Sequence, residues 1–206
     1  MKFIENPDKK DWDKILERPT KTVDDIEATV KQVFDEVKQN GDKAVNTYTT
    51  KFDGVTLSSN LVSTEEIEEA KNLVSEELKK AIILAQKNIT AFHLAQRTTK
   101  VEIETAEGVI CWQEKRPIQK VGLYIPGGTA PLFSTVLMLA IPAQIAGCRE
   151  VVLCTPPSKN GKIHPAILYT ASLCGVTKVF KVGGIQAIAG LTFGTETIPK
   201  VYKIFG

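Results

Sequence analysis

Apolar residues along the first hundred positions recur every three or four places, the period of an amphipathic helix. In "TVDDIEATVKQVFDEVKQ" (22–39), Val23, Ile26, Val30, Val33, Phe34 and Val37 share one face. Thr22 is placed to cap the start, and Asn40-Gly41 supplies the stop. Asp42 opens a second short helix carrying Ala44, Val45 and Tyr48, which "FDG" at 52–54 closes. Ser63 and Glu66 stand three apart, the spacing of a capping box. Helical spacing then continues to about Gln96 with a re-cap at Ser75. Leu78, Ala81, Ile82, Ala85, Ile89 and Phe92 form the apolar face.

The period next changes to two. "VEIET" and "VICWQ" flank Ala106-Glu107-Gly108 and predict a hairpin. From 121 onward short apolar runs alternate with helical segments. These are "VGLYI", a helix over 132–146 ending at Gly147, "EVVLCT", a helix over 165–174 with Pro165 in its first turn, "KVFKVG", a short "IQAIAGL" helix, and "KVYKIF". Strands apolar on both sides and separated by helices are those of a parallel sheet covered on both faces. A doubly wound, Rossmann-like α/β unit is the predicted architecture.

Composition sharpens this division. The 206 residues are 43% hydrophobic and 24% charged, with a formal charge of +2, an ordinary globular balance without the basic excess of a nucleic-acid binder. Residues 121–206 carry seven basic and two acidic side chains, and residues 1–120 carry 19 and 22. The shift marks a boundary near 120, between a mostly helical region (1–120) that ends in the hairpin and a Rossmann-like segment (121–206). No apolar run reaches the length of a membrane span. The charged start "MKFIENPDKKDWDK" is not a secretory signal. Cys111, Cys148, Cys154 and Cys174 stand singly in apolar surroundings, which suggests reduced, buried thiols in a cytoplasmic protein.

Ligands of doubly wound sheets gather where strands turn into helices. Two such turns are glycine pairs, Gly127-Gly128 and Gly183-Gly184. Either they admit a nucleotide close to backbone amides at a helix start, or they only make tight turns. Neither matches G-x-G-x-x-G, and Thr155-Pro156-Pro157 stands where a ribose-binding acid belongs. Tyr124 points from a strand end toward the glycine turn, and core packing explains it equally well. Gln186 could send its amide into the same crevice, although by residue type it belongs on the surface. His93 fits a partly exposed helix position and His164 a loop or cap. Two histidines and scattered cysteines form no metal-ligand pattern.

"VGLYIPGGTAPLFSTVLMLAIPAQIAGCREVVLCTPP", "HPAILYTASLCGV", "VGGIQAIAGLTFGTETIPK" and "KIFG" together resemble the NAD-binding segment of the histidinol dehydrogenase family, from about Arg116 to Gly206. The helical first hundred residues resemble that family's N-terminal region more loosely. The resemblance implies an aldehyde-dehydrogenase-like fold, with Rossmann-like halves that lack the usual fingerprint. It also implies a cytoplasmic homodimer of histidine biosynthesis, using NAD and zinc to oxidise L-histidinol through L-histidinal to L-histidine. Tyr124 and Gln186 fall on cofactor-binding positions of the family. The family continues past "KIFG" into a glycine-proline-glycine-asparagine turn whose asparagine also binds cofactor. Beyond that turn come its zinc ligands, its Glu-His acid–base pair and most of its substrate pocket. The expectation is therefore a truncated N-terminal half, with no catalytic or metal-binding residue of its own and inactive alone. Two other readings stay open: a stand-alone nucleotide-binding or interaction module, and an unrelated α/β enzyme with a nucleophile at Cys148 or Cys154.

Overall fold

A computed structural model describes residues 4–17, 23–128 and 130–206; Thr22, Thr129 and the side chain of Val23 lie outside the described residues. The chain divides into two compact units, Met1–Gln32 and Val33–Gly206. The first holds a 3-10 turn at Lys9–Asp11 and α1 (Trp12–Leu16), with the Trp12 indole N–H donating to Pro7 O at 3.2 Å. Helical periodicity did not announce these two short elements, because neither buries a residue.

α2 runs Val23–Asp53, interrupted at Gly41, whose φ of 53° and ψ of −132° are not helical. The Asn40-Gly41 stop is thus present as a kink between two helical pieces. Glu196 fixes the kink: its carboxylate accepts from Asp42 N at 2.7 Å, and this hydrogen bond holds its pKa below the usual carboxylate range. On either side of the kink, Val33, Val37, Ala44, Val45 and Tyr48 are buried.

α3 (Thr64–Leu73) begins with the capping box that the spacing predicted, Glu66 N donating to Ser63 Oγ at 3.2 Å and Ser63 N to Glu66 Oε2 at 3.0 Å. α4 (Glu76–Ala95) is re-capped by Ser75, which accepts from Leu78 N. Ile82 is fully buried, and Leu78, Ala85 and Ile89 pack against the same core. Ala81 and Phe92 do not: both are exposed. They lie at the margin of the buried stripe, where spacing alone assigns no side.

β1 (Glu102–Ala106) and β2 (Val109–Trp112) form an antiparallel hairpin of their own. Every residue in both strands is exposed, Ile103, Ile110 and Trp112 included. The Cys111 thiol is exposed with them, which corrects the expectation of four buried cysteines.

The centre of the unit is a four-stranded parallel sheet built from β3 (Lys120–Tyr124), β4 (Glu150–Thr155), β5 (Lys178–Lys181) and β6 (Lys203–Phe205), in the order β5-β4-β3-β6. α5 (Phe133–Ala146) and α6 (Pro165–Leu173) make the first two crossovers, and α7 (Gly184–Phe193) makes the third. Alternate strand residues feed two cores. Val121, Leu123, Val151, Leu153 and Val179 join α3, α4, α5 and α6 on one face. Val152, Cys154 and Phe180 join α2 and α7 on the other. Gly122 lets α7 approach, since a Cβ there would sit 3.0 Å from Leu191. Residues 60–62 cover the outer edge of β5, with Val62 N donating to Val179 O and Lys181 N to Asn60 O. Among the described residues no helix is long and apolar enough to cross a membrane.

Replacing Gly41 by alanine forces a side chain into a backbone conformation that glycine alone adopts freely, against the Glu196 carboxylate. The expected loss is about 1–3 kcal/mol, read as a lowered urea midpoint with unchanged slope. An unaltered midpoint would show that the kink carries no such constraint.

Candidate functional site

Because β3, β4 and β5 run parallel, their carboxyl ends share one rim, and each turns a corner there. β3 leads into Pro126-Gly127-Gly128, β4 into Pro156-Pro157, and β5 into Val182-Gly183-Gly184 at the start of α7. The opposite rim is tied by charge, with Glu150 of β4 pairing with Lys120 of β3 at 3.2 Å and with Lys178 of β5 at 3.4 Å.

The central corner joins the outer two. A Cβ on Gly127 would lie 2.5 Å from Pro156 Cγ, and one on Gly183 would lie 2.5 Å from Pro156 Cβ. Both glycine corners therefore press on one proline ring at distances that exclude any side chain. They are also linked directly: Gly184 N donates to the Tyr124 hydroxyl at 3.0 Å. A phenol that accepts this bond still has its own proton to donate. Tyr124 stands at the topological switch, with β4 on one side of β3 and β6 on the other. A cavity of about 330 Å³ opens beside Gly127 and Gly128, bordered by Pro131, Thr155, His164 and Ile167.

Gln186, in the first turn of α7, is fully buried rather than on the surface. Its Nε2 donates to Asp53 Oδ2 at 3.3 Å. Its Oε1 is buried without a partner, 3.1 Å from where a Cβ on Gly184 would lie. Such an orphaned acceptor costs about 1–3 kcal/mol unless something donates to it. Thr49 Oγ1, one helical turn before Asp53, is also buried without a partner. Burial pushes the Asp53 carboxyl above its usual range.

A dinucleotide fits these features. Gly128 has open space where a side chain would stand, the Tyr124 hydroxyl has a hydrogen left to donate to a hydrogen bond, and buried Gln186 holds an acceptor without a partner. A zinc ion does not fit the residues present, because no three His, Cys, Asp or Glu side chains gather among the described residues. His164 caps α6, its Nδ1 accepting from Ala166 N at 3.2 Å, and His93 pairs with Gln96 on half-exposed α4. The cysteine-nucleophile reading loses its basis. Burial pushes the Cys154 thiol up to about 12 and the Cys174 thiol up to about 11, and raises half-buried Cys148 as well.

Sequence reasoning missed two residues of this rim. Pro156 counted only as the absence of a ribose acid. Asp53 counted only as part of a helix stop, although an acid in the last turn of a helix opposes the dipole and is itself a signal of another role.

Two outcomes follow from this geometry. A thiol reagent at neutral pH should label Cys111 rapidly, Cys148 slowly, and Cys154 and Cys174 only after unfolding; fast labelling of Cys154 in the folded chain would contradict the burial described. Secondly, the folded pKa of Asp53 lies above its unfolded value, so the folded state holds the extra proton between them, and this group's contribution to stability falls as pH rises through that window. Relative to Asp53→Asn, the unaltered chain should gain thermal stability as pH is lowered from about 7 to about 4. A constant difference in Tm across that range would contradict it.

A family model described as histidinol dehydrogenase matches residues 16–206. The histidinol dehydrogenase of Bacteroides thetaiotaomicron is 59% identical over 206 residues, which is 100% of this chain and 48% of that protein. The one from Escherichia coli K12 is 55% identical over 193 residues, 93% of this chain and 44% of that protein. A crystal structure of histidinol dehydrogenase from Elizabethkingia anophelis superposes with a TM-score of 0.90 at 54% identity, covering 98% of this chain and 46% of that one. The chain spans about half the length of the curated relatives it matches. With a family model over nearly its whole length and close relatives in sequence and structure, the chain belongs to the histidinol dehydrogenase family.

Proposed function

We propose that this chain is the N-terminal half of a histidinol dehydrogenase and that its three-cornered rim is the shelf on which NAD lies. The observation that carries the reading is the Tyr124–Gly184 hydrogen bond, with Pro156 wedged between the two glycine corners. The whole enzyme, a cytoplasmic zinc-dependent homodimer in this reading, oxidises L-histidinol through L-histidinal to L-histidine. NAD, when bound, supplies the hydride acceptor. The chain's own residues bind and orient: the Tyr124 hydroxyl donates a hydrogen bond to the cofactor, Gln186 Oε1 accepts one, and Gly128, with open space where a side chain would stand, keeps the approach clear. Because Oε1 lies beneath Gly184, a ligand reaches it only as that corner yields.

The sheet belongs in this reading to the aldehyde-dehydrogenase-like folds, whose cofactor sites lack G-x-G-x-x-G. Residues 1–120 form a helical region ending in the hairpin, and 121–206 form an incomplete Rossmann-like segment. The exposed Ile103, Ile110 and Trp112 of the hairpin are surface that the rest of the enzyme covers. Oxidation of an alcohol needs a base placed to take its proton; in this reading that base belongs to the other half of the enzyme, since His164 caps α6 and Asp53 holds Gln186. The chain alone is therefore inactive.

Calorimetric titration of the 206-residue chain with NAD should show weak binding, with a Kd of about 1 mM. Tyr124→Phe should weaken it several-fold while leaving the fold intact. No histidinol-dependent formation of NADH should accompany it. Turnover by the isolated chain would overturn the division of labour, and binding indifferent to Tyr124→Phe would overturn the shelf.

A further inference from the structure

We propose that Asp53 is a positioning residue for the cofactor, holding Gln186 with its amide nitrogen turned inward and its amide oxygen turned to the Gly184 corner, where that oxygen accepts from a hydroxyl or N–H of the dinucleotide. The proposal rests on the reading of this rim as the NAD shelf. A glutamine amide is two-faced, and rotation by half a turn exchanges donor for acceptor at nearly the same positions. An ionised carboxylate only accepts. With Asp53 Oδ2 at 3.3 Å, Nε2 must occupy the inner position, and Oε1 is left at the corner.

A structural role alone does not call for an aspartate here. It closes α2 at the end where a negative charge opposes the helix dipole, and it is drawn partly out of water. Asparagine would avoid both penalties and still bond to Gln186. It would also donate as readily as accept, leaving the glutamine free to turn over. The carboxylate is the side chain that removes this ambiguity, and Gly54, with φ of 71°, ends the helix directly behind it. The pair comes from positions 133 residues apart, so the tertiary fold assembles it.

The test compares NAD affinity and Tm of the unaltered chain with those of Asp53→Asn, Gln186→Glu, Gln186→Ala and the Asp53→Asn/Gln186→Glu double variant. Each of the first two single changes should weaken NAD binding about five- to tenfold. The double change should restore it to within about twofold, because the amide introduced at position 53 can donate to one oxygen of the carboxylate introduced at position 186 and leave the other as the acceptor. A merely structural pair would recover its Tm in the double variant without recovering affinity, and that result would overturn the proposal. So would full affinity in Asp53→Asn alongside loss in Gln186→Ala, which leaves the shelf reading intact. Unchanged affinity in Gln186→Ala, or no NAD binding by the unaltered chain, would overturn the reading beneath it as well.

Discussion

Two glycines and one proline ring meet where β3, β4 and β5 leave the sheet, at separations that leave no room for a methyl group on either glycine. Everything distinctive about the carboxyl rim follows from that close approach. It brings the end of β3 near the start of α7 although a whole strand lies between them, so that one tyrosine hydroxyl spans the gap. Larger side chains would push the corners apart, and the donor of Tyr124 and the acceptor of Gln186 would no longer belong to one site. The missing dinucleotide fingerprint has the same origin. Here the glycines are divided between two corners rather than threaded through one.

The rest of the unit makes the rim rigid enough to matter. Burial on both faces locks the sheet between two cores, and ion pairs clasp its other end. Around the corners, polar groups are left unsatisfied: Gln186 Oε1 and Thr49 Oγ1 have no partner, and Asp53 carries a charge that burial disfavours. Costs of this kind persist at sites built to receive something. On the same strand end the Lys181–Glu66 pair at 3.0 Å satisfies its charges, while Asn60 Oδ1 on the covering segment is also buried without a partner.

Much of this was legible in the residues themselves. Ser63 and Glu66, Ser75, Gly147 and Pro165 each announce a helix end through local chemistry, and doubly apolar runs announce buried parallel strands. What periodicity cannot report is which neighbour covers a face. Ile103, Ile110, Trp112 and Phe92 keep the pattern of buried residues while lying on the surface, and Cys111 goes with them. Nor does local sequence reveal contacts made at long range. Tyr124 and Gln186 were marked as cofactor positions by resemblance, but Pro156 and Asp53 become parts of the rim only when the strands are laid side by side.

The claim that the corners of β3 and β5 act as one surface is open to direct test by following backbone amide resonances of the chain during titration with NAD. The account predicts that Gly127, Gly128, Gly183 and Gly184 shift together along a single binding curve while the hairpin amides of β1 and β2 stay still. Shifts confined to one corner, or centred on the hairpin, would contradict it.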